Sequence, residues 1–222
     1  MSSHDFRGVR LPDAVSGHPA LEFCNTRAGW GEAQPKEYLS SAEAFLLWCL
    51  ERELLRDDTV ARLRERVKDD DVAAEALLET ALELREAVYD VALGRRSGRP
   101  WEIVAGWAQR ARAAGRLVPA DVVPDGSGDG SGNGSGDGSG PAAARWELDP
   151  DSDFDAPLLA VAHAMDDLLT SPSGTTVGAC PGHGCGWLFT DRRRRRRWCS
   201  MAACGNREKV RRHAERTRQA VA

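Results

Sequence analysis

Nowhere in the 222 residues does an apolar run approach the roughly 20 that a membrane-spanning helix needs. The opening residues, Met1-Ser-Ser-His-Asp-Phe-Arg, lack the hydrophobic core of a secretory signal. Mean hydropathy of −0.46 and a hydrophobic fraction of 41% describe an ordinary soluble chain. These absences exclude a membrane partner and lead us to expect a cytoplasmic protein. There thiols stay reduced, and grouped cysteines bind metal more often than they form disulfides. A catalytic constellation is also missing. His163 and Asp166 lie one helical turn apart, but a histidine beside an apolar stripe is ordinarily packed there. Cys24 and Cys49 read as small buried hydrophobes. No enzymatic activity is expected.

What the chain does have is four cysteines near one end: Cys180, Cys185, Cys199 and Cys204, two close pairs separated by thirteen residues. Each pair supplies two thiolates from one tight turn, and the spacer lets the second turn close over an ion. Glycines at 182, 184, 186 and 205 permit the tight backbone such turns require. One Zn²⁺ per chain is the expected cofactor. Four thiolates fill its coordination sphere and leave no position for water, so the metal is structural. It stands in for a core that about forty residues do not build alone. His183, inside the first turn, reads as solvent-facing. Trp187 and Phe189, on one face of a short strand, and Trp198 read as the module's miniature core; a stacking platform for bases is the other reading.

Charge is divided unevenly. Residues 180–222 hold twelve Lys/Arg against three Asp/Glu, a net of +9, which leaves residues 1–179 at −13 within the chain total of −4. A basic end on an acidic body fits either an anionic partner or docking of one half on the other.

The fold expected is mainly α with a small β-hairpin. A helical N-terminal domain over 1–174 precedes a small four-cysteine zinc knuckle over 175–222 that ends in a basic helix. Ser40-x-x-Glu43 reads as a capping box before Phe45–Leu50. A second helix starts after Asp57-Asp58. Leu77, Ala81, Leu84, Val88 and Val91 recur at helical spacing before Gly94. Pro100 opens a fourth helix that Gly115 ends. Strands are expected at Leu117–Val123 and Arg145–Leu148. Between them four Gly/Ser tetrads over 125–140 read as a flexible insertion. Asp125-x-Ser127-x-Asp129-Gly130 echoes a calcium loop, but Gly136 stands where the bidentate Glu belongs. A fifth helix starts near Asp155-Ala-Pro157. Asn206 is placed to cap the last one.

Two stretches resemble known families. Trp187-x-Phe189-x-Asp191, a basic loop, then Arg197-Trp-Cys-Ser-Met201-x-x-Cys204-Gly-Asn-Arg207-x-Lys209 is similar to the CGNR zinc finger, over roughly 176–213. Leu21-Glu-Phe23-Cys-Asn25-Thr26, with Phe45 and Trp48 on the helix after it, resembles the ABATE domain that accompanies this finger, over roughly 15–170. The resemblance implies a bacterial, stress-induced regulator of transcription. The loop departs from the family in holding six arginines and no serine or threonine.

The leading expectation is a DNA-binding regulator. Arg192, Arg193, Arg194, Arg195, Arg196 and Arg197, with Arg207, Lys209, Arg211 and Arg212, would track phosphates through planar, permanently charged forks. The helical domain would sense a small-molecule effector or mediate homodimerisation, with Asn25, Trp30 and Trp48 as a candidate ligand pocket. The alternative is a protein-interaction or dimerisation module that does not touch nucleic acid. Its arginines at 211, 212, 216 and 218 would dock on carboxylates such as Asp69, Asp70, Asp71, Asp166 and Asp167.

Overall fold

A computed structural model describes residues 2–119, 144–148, 154–171 and 176–221. Two largely apolar helices lie at the centre. Helix α1 (Pro19–Cys24) buries every residue from Ala20 to Cys24. Helix α2 (Ala42–Glu51) buries Ala42, Ala44 and all of Phe45–Cys49. A helix that is apolar on all sides must be covered on all sides. The cover comes from α3 (Asp57–Asp69), α4 (Asp71–Ala92) and α6 (Ala156–Thr170), and α5 (Arg99–Ala114) packs in turn on α4 and α6. Phe23, Phe45 and Trp48 form an aromatic cluster at the centre, with ring centroids 5.4–6.4 Å apart.

The amphipathic stripe of α4 lies as its spacing predicts: Leu77, Ala81, Leu84, Val88 and Val91 are all buried. Gly94, with φ +99, follows the end of that helix. Pro at the start of α5 and Gly115 at its end also match. Two caps differ from expectation. The α2 cap is Ser41, whose Oγ accepts from Ala44 N at 3.1 Å, and not Ser40. Asn206 is already helical, because a π-helical turn over Met201–Gly205 runs directly into α7 (Asn206–Val221). Its amide donates back to Ala202 O at 3.4 Å instead of capping.

The strands form four two-stranded antiparallel pairs among the described residues. β1 (Ser3–Phe6) and β2 (Val9–Pro12) make a hairpin that the expectation of a helical N-terminal region misses. Its turn is Arg7-Gly8, both at positive φ (50° and 84°), the left-handed pair that two-residue hairpins need. β3 (Arg27–Ala28) pairs with β4 (Lys36–Glu37). β5 (Gly115–Pro119) pairs with β6 (Ala144–Leu148), from Gly115 opposite Leu148 to Pro119 opposite Ala144. The first of these strands starts two residues earlier than expected. The Gly/Ser tract over 125–140, with its calcium-loop echo, lies outside the described residues. β7 (Val177–Ala179) and β8 (Leu188–Thr190) form the last pair, and the first cysteine turn is the loop between them.

Candidate metal centre and nucleic-acid interface

Cys180 and Cys185 sit in the β7–β8 loop. Cys180 N donates to Trp187 O at 2.8 Å and Cys185 N to Gly182 O at 2.9 Å, which folds the turn so that both thiols point inward. A side chain at 182 would place its Cβ 3.1 Å from Cys204 Sγ, so glycine leaves room for the second pair. Cys199 follows the arginine loop, and Cys204 lies in the π-helical turn. All four sulfurs are buried and lie within 4.8 Å of one another. Cys185–Cys199 and Cys199–Cys204 Sγ separations are 3.7 and 3.6 Å. A tetrahedron with Zn–S bonds of about 2.3 Å has S···S edges of about 3.8 Å, so the cage is sized for zinc. Hydrogen bonds from Cys185 and Cys199 hold Cys180 far below the ordinary thiol range. The same contact with Cys180 pushes Cys185 up to about 12 and Cys199 higher still. Four crowded, buried sulfurs need a cation before all become thiolates, and one structural Zn²⁺ supplies it. His183 is exposed and outside the cluster.

The knuckle is seated on the helical domain by side chains of α1 and the turn after it. Asn25, fully buried, bonds Leu188 twice: Nδ2 donates to Leu188 O at 2.9 Å, and Leu188 N donates to Oδ1 at 2.8 Å. Gly29 N donates to Cys185 O at 2.9 Å. Trp187 Nε1 donates to Arg27 O at 3.0 Å, and Tyr89 OH to Gly186 O at 2.9 Å. Thr190 bonds Ser16 O through both its N–H and its hydroxyl. The alternation of β8 divides its side chains. Leu188 enters the main core, whereas Trp187 and Phe189 join Ala28, Tyr38 and the cysteines in a second cluster. Both aromatics are therefore core and present no stacking face.

The basic residues take two kinds of place. Asp191 caps the loop: its carboxylate accepts from Arg195 N and Arg196 N at 2.9 and 2.7 Å. Arg192 to Arg197 are all exposed residues. Arg196 nevertheless turns its guanidinium to carbonyls of Val15 (2.8 Å), Cys199 (2.5 Å) and Thr190 (3.4 Å), over the ring of Phe189. Arg207 Nη2 donates to Cys204 Sγ at 3.1 Å. On α7, Lys209, Arg211 and Arg212 are exposed. Arg211 pairs with Glu208 and Glu215, and Arg212 with Glu208, within their own helix. Of the body's candidate carboxylates, Asp166 binds Arg112, Asp167 binds His18 and Asp70 accepts from Ala73 N. Among the described residues, no ion pair joins α7 to the acidic body.

Residues 17–172 match the family model of the ABATE domain, described as "putative stress-induced transcription regulator", and residues 176–217 match that of the CGNR zinc finger. The first match alone covers more than half of the chain. The chain belongs to the ABATE family. No curated protein matches it. In this ABATE chain the Leu21–Thr26 stretch acquires a physical role. Leu21, Phe23 and Cys24 fill the core, and Glu22 Oε1 accepts from Val15 N and Ser16 N at 2.8 and 2.6 Å. Asn25 grips the finger, and Thr26 receives the buried guanidinium of Arg85 at 3.0 Å.

The three residues expected to line a ligand pocket are not brought together. Asn25 is spent on Leu188, and Trp48 is enclosed by the core. Trp30 alone lines a cleft, a shallow depression of about 430 Å³ shared with Arg27, Gly31, Glu86, Tyr89 and Asp90. Trp30 and Tyr89 stack there at 3.7 Å, with Arg27 over Trp30 and paired to Glu86 at 2.7 Å. His163 packs against the backbone of Gly115 at the end of α5. The sequence reading did not find Arg85, which is 1% exposed and forks onto Glu37 at 2.5–2.6 Å. Its only signal was an arginine on the apolar face of α4.

Proposed function

We propose that this chain is a non-enzymatic cytoplasmic regulator that binds DNA through the arginine loop and the exposed face of α7. The observation that carries this reading is the solvent-facing basic surface around the zinc knuckle, formed by the exposed Arg193, Arg194, Arg195 and Arg197 of the loop and Lys209 of α7. A loop whose backbone is fixed by Asp191 presents its charges without first having to order them, which lowers the entropy cost of binding. The helical domain would carry the signal. An effector or a second copy acting at the Trp30–Tyr89 cleft would reach the finger directly, since Tyr89 bonds Gly186 of the first knuckle.

Fluorescence anisotropy on a labelled duplex at several salt concentrations tests the reading. With about six phosphates neutralised, log K against log salt should slope near −5. A slope near zero, or binding of single-stranded RNA in preference to the duplex, would defeat it.

A further inference from the structure

We propose that Arg196 and Arg207 are internal clamps of the zinc module, not phosphate contacts, and that the anion-facing part of the loop is Arg193, Arg194, Arg195 and Arg197. The clamp half stands on geometry alone; the anion-facing half rests on the DNA-binding reading above.

A Zn²⁺ held by four thiolates carries a net charge of −2, and all four cysteines here are at most 3% exposed. Such a charge needs donors aimed at the sulfurs. Arg207 aims one at Cys204 Sγ, and it is held there because the π-helical turn leads into the first turn of α7. Donors around a metal cage typically change metal affinity 10–100-fold. Arg196 solves a different problem. The second cysteine pair follows the first across the arginine loop, and its ligand Cys199 sits at the loop's end. Arg196 Nη2 donates to both Cys199 O and Val15 O while Nη1 reaches Thr190 O, and Val15 belongs to the segment whose N–H groups Glu22 holds. One side chain thereby links the second knuckle to α1. Although the residue is exposed, its Nη2 faces two carbonyls and its Nη1 a third, and its stacking on Phe189 sets the plane of the guanidinium. The residues at 193, 194, 195 and 197 are exposed, and Arg194 has a left-handed φ of 50°.

Lysine separates the two roles. It keeps the charge that phosphate attraction needs but lacks the planar fork. We expect R196K and R207K, purified with zinc, to release metal to a colorimetric chelator about 10–100-fold faster than the parent. Their duplex affinity should stay within about threefold before chelation. Failure of either variant to retain one zinc per chain through purification is the same result in stronger form. R193S/R194S/R195S should release zinc at the parent rate while its salt slope shrinks by about 2.7. Parent-like release from R196K and R207K overturns the clamp assignment whether or not DNA is bound. An unchanged salt slope in the triple variant instead counts against the DNA-binding reading and leaves the clamps standing.

Discussion

Asn25→Ala is the sharpest perturbation of the joint between the two halves. The wild-type amide satisfies both backbone groups of Leu188, and neither residue has solvent access. Alanine removes the donor and the acceptor together, leaving a buried N–H and a buried C=O without their protein partner. An unsatisfied buried group costs about 1–3 kcal/mol, so two cost about 2–6 kcal/mol. Against a whole-protein stability of about 5–15 kcal/mol, that is a large loss for one small side chain. Urea unfolding followed by the fluorescence of the seven tryptophans should show a lower midpoint with an unchanged slope. Zinc should also leave faster, since β8 continues directly from the first knuckle. Asn25→Asp is a useful partner variant. It keeps an acceptor for Leu188 N but faces Leu188 O with a second acceptor, and should be no better than alanine. A loss below about 1 kcal/mol for Asn25→Ala would mean the two bonds do not hold the finger, and the reasoning would fail.

Two further outcomes are expected. Gly186→Ala forces a left-handed φ of 71° on alanine and sets its Cβ 2.7 Å from Trp30 Cβ. It should cost about 2–4 kcal/mol by thermal unfolding. Gly184→Ala has a similar φ of 64° but open space, and should cost only about 1 kcal/mol. His4, between Asp13 at 2.8 Å and Glu51 at 2.5 Å, has its pKa raised from 6.5, with the Asp13 hydrogen bond as the largest cause; the Asp13 pKa is lowered from 3.8 by the same bond. A raised histidine pKa stabilises fully below 6.5 and loses its effect as pH rises through the folded value. The lowered Asp13 value acts the other way, its contribution present above about 3.8 and lost as pH falls through the folded one. Because the pair is well exposed, the gain should be at most about 1 kcal/mol. His4→Gln should remove most of the stability change between about pH 6 and 8, and a retained profile would assign that change to another group.

The metal cage was legible in the sequence because thiolate spacing and glycine are local facts. The α4 stripe was legible for the same reason, since burial follows a period of 3.6 residues within one segment. The seat of the finger was not. Asn25 and Leu188 are 163 residues apart, and an Asn after a short helix looks the same whether it caps a turn or grips a distant strand. Only the family-like setting of Leu21–Thr26 marked that stretch for attention. The inward turn of Arg196 was hidden by its neighbours: in a run of six identical residues, nothing local says which one faces the protein. The β1–β2 hairpin was missed because its turn pairs Gly8 with Arg7 in place of a residue that prefers positive φ.

The central claim is that the loop on the zinc knuckle carries nucleic-acid affinity. The most direct measurement is duplex binding by R193E/R194E/R195E, with zinc content and helicity checked in the same samples. The account predicts one zinc per chain, parent-like helicity and an affinity reduced at least about 100-fold at low salt. Parent-like affinity in that zinc-loaded, folded variant would contradict it.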